Sequence, residues 1–184
     1  MAVKRYIADS DTTITNAFKA NLTTRGVSGN MGQSDILEVF SIYAQANSSS
    51  SELERILIKF PATGTSAGYI SYDRTQNDIP ASGSVSFYLR MFDAEHSQTT
   101  PKDFNLVVSA VSRSWAEGLG LDMENYSDEG VANWLSGNIS SSADDGSWTT
   151  DGGDYLQDAS SSFTASFGTG FENMELDITP LVEQ

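Results

Sequence analysis

SVSFYLRMF, running from Ser84 to Phe92, is the stretch that decides the fold class. Val85, Phe87, Leu89 and Met91 fall on one side; Ser84, Ser86, Tyr88 and Arg90 fall on the other. A period of two is the spacing of a half-buried strand. Pro80 and Gly83 punctuate its start. Moving outward, Phe104 to Arg113 sets Phe104, Leu106, Val108 and Ala110 on one face. Met174 to Ile178 turns Met174, Leu176 and Ile178 inward and Glu175 and Asp177 outward. Glu52 to Phe60 groups Ile56, Ile58 and Phe60 opposite Leu57 and Lys59, and Pro61 closes it. Asp35 to Gln45 is apolar on both faces, as a central or covered strand would be. With Tyr6 to Ala8, Thr12 to Phe18 and Phe163 to Phe167, this makes about eight short strands between turn-rich loops. The predicted fold class is all-β: an antiparallel jelly-roll β-sandwich forming a single domain over residues 1–184.

One long segment, Trp115 to Leu156, breaks the pattern. It is rich in Gly, Asp, Asn and Ser, yet it carries Trp115, Tyr126, Trp134, Trp148 and Tyr155. Disordered linkers are poor in aromatics, so the segment reads as an ordered loop packed on the domain. Its tryptophans admit two uses. They can form the private core of the loop, since large aromatics bury most of their area. Alternatively, Trp115, Trp148 and Tyr155 could stack on the rings of a glycan.

Composition narrows the chemistry. The 10 Lys and Arg stand against 25 Asp and Glu, a formal charge of −15. Such a chain repels a phosphate backbone and an anionic membrane surface, so neither nucleic acid nor membrane is an expected partner. The absence of cysteine from the sequence excludes disulfides and thiolate chemistry. His96, the single histidine, lies in "DAEHSQTTP", the context of a solvated loop rather than a catalytic triad. Glu117, Asp122 and Glu124 are the nearest candidates for a glycosidase carboxylate pair, and acidic residues on a wet loop are the plainer reading. Hard cations want several oxygen ligands. Glu117, Asp122, Glu124 and Asp128, with Gly118 and Gly120 for tight turns, are the candidate calcium ligands, and calcium is the only cofactor suggested. Asp144, Asp145, Asp151 and Asp154 form a second acidic loop. EF-hand spacing is absent, so glycines and aspartates that simply build turns compete with calcium as the explanation.

Several segments recur in a recognisable order: ADSDTTIT (8–15), LEVFS (37–41), ERILIKF (54–60), SVSFYLRMF (84–92), VSRSWAEGLGLD (111–122), GVANWL (130–135), SWTTDGGDY (147–155) and ELDIT (175–179). Together they resemble the DNRLRE-type β-sandwich domains. That resemblance implies a jelly roll of the kind found in cell-surface and secreted proteins, often carbohydrate-binding, and used in phage virions. The N-terminal segment lacks the apolar run of a signal peptide, which shifts the expectation from a cell surface to a virion. The function expected is a non-enzymatic bacteriophage structural protein: a capsid decoration or cement protein that binds major capsid or tail proteins, as a homo-oligomer on the particle. The alternatives are a free-standing, calcium-stabilised carbohydrate-binding module for host adhesion, or a tail or neck accessory protein.

Overall fold

The computed structural model describes residues 3–96, 99–124, 131–138, 146–158 and 160–183. It consists mostly of strands with few helices, in keeping with an all-β chain. The residues cluster into two compact units, each discontinuous in sequence. Ile7–Phe60 with Val111–Asp154 makes one, here the tryptophan unit; Met1–Tyr6, Pro61–Ala110 and Tyr155–Gln184 make the other, the ladder unit.

The tryptophan unit is built on β1 (Ser10–Thr15), β2 (Ser41–Tyr43) and β3 (Ser51–Lys59). They form an antiparallel sheet in the order β1-β3-β2. Thr12 faces Leu57 and Ile14 faces Arg55 across the β1–β3 ladder, so these four share one face of the sheet. That face carries the core. Ile14 and Leu57 pack with Ala132, Trp134 and Trp148, and Val27, Leu53, Val111 and Trp115 pack around them. Trp115, Trp134 and Trp148 therefore cover the sheet face that a second sheet would cover in a sandwich. Trp148 Nε1 donates to Asn133 O at 2.9 Å, and the ring lies so close to Gly137 that a Cβ there would sit 2.6 Å from Cη2. Arg55 holds its guanidinium 4.9 Å from the Trp134 ring centroid and donates to Gly152 O at 2.5 Å. Gly152 adopts φ of 88°, and a Cβ on it would meet both Arg55 and Trp134. Gly152 is thus fixed by close approach as well as by its positive φ, and Gly153 by its φ alone.

In the ladder unit, α1 (Ile70–Thr75) precedes β4 (Tyr88–Met91), β5 (Phe104–Ser109), β6 (Ser162–Phe167), β7 (Met174–Asp177) and a final turn, α2 (Thr179–Val182). β4 pairs with β7 and β5 with β6, both antiparallel. Phe104 opposes Phe167, with ring centroids 4.9 Å apart and planes within 3°. Leu106 opposes Ala165 and Val108 opposes Phe163, while Asn105 and Val107 face outward. The alternation read from 84–92 persists beyond the strand itself: Leu89 is buried, Val85, Phe87 and Met91 half-buried, and Tyr88, Arg90 and Phe92 exposed.

Several expected elements differ. Among the described residues, seven strands form three small sheets. Tyr6 to Ala8 is not a strand, and Asp35 to Gln45 contributes only Ser41–Tyr43. In the β3 strand the buried core residue is Leu57, while Ile56 and Ile58 are half-buried. The helix α1 has no counterpart in the sequence reading.

Truncating a core tryptophan leaves a cavity that the short sheet cannot close. Trp148→Ala is expected to lower unfolding free energy by about 3–5 kcal/mol, measured by urea denaturation followed by tryptophan fluorescence. The half-buried Trp115→Ala should cost clearly less.

Candidate functional site

The 117–124 loop is positioned by Asn30, which is fully buried. Asn30 Nδ2 donates to Glu117 O and to Ala132 O, both at 2.7 Å. Its Oδ1 accepts from Gly32 N at 3.0 Å and Gly120 N at 2.9 Å. A Cβ on Gly118 or Gly120 would collide with Asn30. The two loop glycines therefore serve the approach to this amide, and no cation is needed to explain them.

Each described candidate calcium ligand is committed to the backbone. Glu117 accepts from Asp11 N at 2.8 Å, Asp122 from Glu124 N at 2.8 Å and Glu124 from Ala20 N at 3.0 Å. Asp128 lies outside the described residues, as do Asp144, Asp145 and Tyr126. Among the described residues no three His, Asp or Glu side chains gather around a metal-sized space. Asp154 accepts from Thr149 N and Thr150 N, and these bonds, Thr149's foremost, hold its carboxyl below the usual range.

Among the glycan candidates, both tryptophans are turned to the core. Trp148 is buried at 5% exposure, too little ring face for a sugar. Trp115 is half-buried against the same core. Tyr155, also half-buried, belongs to the other unit. His96 is exposed and stacks on Phe171, centroids 6.0 Å apart. Beside it, Glu172 accepts from Gly168 N, Thr169 N, Gly170 N and Phe171 N. These bonds, led by that from Thr169, draw its carboxyl down to about 2.

Comparison with family models, curated proteins and solved structures gives no match. The site has to be read from its own geometry.

Three features escape the sequence reading. Gly64-Thr65-Ser66-Ala67-Gly68 has the spacing of a nucleophile elbow. Its surroundings are not those of an elbow: the preceding strand β3 is antiparallel and ends at Lys59, the following helix has six residues, and Ser66 lies exposed in a turn closed by Tyr69 N donating to Ser66 O. Second, Glu52 and Glu54 are buried on the sheet face opposite the tryptophans. Glu52 accepts from Phe18 N at 2.8 Å, and Gln45 can turn its amide nitrogen to both Glu52 oxygens at 2.9 Å. Both oxygens of Glu54 lack any hydrogen-bond partner. Burial, and then the charge of Glu38, push the Glu54 carboxyl up to about 8. Their i, i+2 spacing in Glu52-Leu53-Glu54 is the signal that could have placed the two carboxyls on one face.

The third feature is the outward face of the β4–β7 ladder. Tyr88 and Phe92 are 54% and 73% exposed. Arg90 stands between them, its Nε 2.9 Å from Glu175 Oε2 and its guanidinium 5.9 Å from the Phe92 ring centroid. Tyr, Phe and Arg around a central ion pair is a composition enriched at protein interfaces.

Removing the Asn30 carboxamide would strand two backbone N–H and two carbonyl groups inside the tryptophan unit. Asn30→Ala is expected to cost about 3 kcal/mol or more, read as a fall in the urea midpoint, with accelerated amide exchange at Gly32 and Gly120.

Proposed function

We propose that this chain is a non-enzymatic structural protein of a bacteriophage virion, a decoration or cement protein that binds the surface of the particle. The observation that carries the reading is the exposed Tyr88–Arg90–Phe92 face on β4, backed by Glu175 of β7. Aromatic anchors beside a charged pair suit docking onto another protein. The commitment of Trp148 to the core, and of the loop carboxylates to backbone amides, weighs against the sugar-binding and calcium alternatives. Among the described residues all four strand pairings are antiparallel, and this supports the finer reading of the strands as parts of a DNRLRE-like jelly roll. The partners proposed are major capsid or tail proteins and further copies of the chain, with the virion as its location.

Purified protein should co-sediment saturably with particles of its phage stripped of accessory proteins. The double variant Tyr88→Ser/Phe92→Ser changes only exposed side chains and should fold normally. Its binding should weaken by about tenfold or more, the scale of losing an interface anchor. Wild-type protein that fails to bind heads or tails would refute the proposal. Glycan-array binding abolished by Trp115→Ala would replace it with the adhesion reading.

A further inference from the structure

The buried Glu54 carboxyl is not used by the proposed docking face. It belongs to the tryptophan unit, at 3% exposure, with neither oxygen hydrogen-bonded. Its backbone is fixed: the Cα pairs with Thr15 of β1, and its N–H donates to Phe40 O at 2.9 Å. The segment Glu38–Phe40 is tied to β1 as well. Glu38 N donates to Thr13 Oγ1 at 3.2 Å, and that hydroxyl donates in turn to Glu38 O at 3.5 Å. Thr13, Thr15 and Glu54 lie on the same face of the β1–β3 ladder. Residues 38–40 thus form a strap across that face, fastened to β1 at one end and β3 at the other.

We infer that the strap is a proton-dependent latch, closed over Glu54 while its carboxyl is neutral and released when it ionises. The physical reason is that a buried carboxylate needs a counter-charge or donors, and none meets Glu54 here. The groups facing it from neighbouring elements add only negative charge or none. Glu38 on the strap is acidic. β1 contributes Thr13 and Thr15, with Asp11 further along. On β3 itself Glu52 shares the face and Arg55 points away to Trp134, and β2 offers Ile42. Losing the proton therefore sets a bare charge beneath Glu38, and the least costly relief is to let water in by lifting the strap.

The sign follows from linkage. The folded carboxyl titrates at about 8 against an ordinary 4.5, so the folded state holds the extra proton between those values. Stability is fully present below the ordinary value and falls as pH rises through the folded one. The folded-to-unfolded ratio should drop by up to roughly a thousandfold from this group.

Amide exchange at Glu38 and Glu54, corrected for the intrinsic rate, should speed up sharply between pH 6 and 9, while exchange within β5–β6 should not. Glu54→Gln, which keeps the shape without the charge, should abolish that rise and make unfolding nearly flat over the same range. Should that variant fail to fold, Glu38→Gln serves instead: with the charge that raises the Glu54 carboxyl removed, the rise in exchange should be smaller and level off at a lower pH. Strap amides equally protected at pH 6 and 9 would overturn the latch. A rise in melting temperature with calcium at pH 9, lost in Glu54→Gln or in Glu38→Gln, would overturn it in favour of a cation held by the two carboxylates.

Discussion

The carboxamide of Asn30 is the interaction on which the tryptophan unit rests. It reaches the backbone at Glu117 and Ala132, remote in sequence from itself and from each other. An amide can donate and accept at once without carrying charge, so it can be buried at low cost once its valences are met. The arrangement dictates local sequence. Gly118 and Gly120 must lack side chains because Asn30 fills the space beside them. With that loop pinned, Trp115 just before it and Trp134 beyond it are delivered to the sheet.

A three-stranded sheet with a three-residue edge strand buries little by itself. Trp134 and Trp148 compensate by giving it a large apolar partner from irregular chain. Irregular chain leaves many amides unpaired, and here the acidic composition is put to use. Glu117, Glu124, Asp154 and Glu172 each accept from backbone N–H groups. Charge-assisted bonds of this kind are stronger than neutral ones. These four carboxylates therefore serve as loop scaffolding.

Strands with one wet face were legible in the sequence. The alternation in 84–92 and in 104–108 reappears residue by residue in burial, because each side chain there faces either solvent or a single apolar layer. The β3 strand was harder. Both its faces are covered, so period two separates Leu57 from Ile56 without saying which meets the core, and two glutamates on a covered face run against hydrophobic patterning. Pairing partners were out of reach, since β4 meets β7 across more than 80 residues of chain. The candidate calcium ligands illustrate another limit: composition places carboxylates in a loop, but only the fold shows that Glu117, Asp122 and Glu124 are each turned to a different amide. The GTSAG pattern fails for the same reason, its meaning lying in the strand and helix around it.

The discontinuity of the two units has a consequence for synthesis. Ile7–Phe60 leaves the ribosome carrying the whole β1–β3–β2 sheet, but the tryptophans that cover it lie beyond the Pro61–Ala110 segment. At a translation rate of about 5–20 residues per second, the sheet waits several seconds with its apolar face open. During that interval the nascent chain presents Ile14, Leu53 and Leu57 without cover. The acidic excess gives no protection at that stage, because residues 1–60 hold six Lys and Arg against six Asp and Glu and the negative charge is concentrated after Ala110.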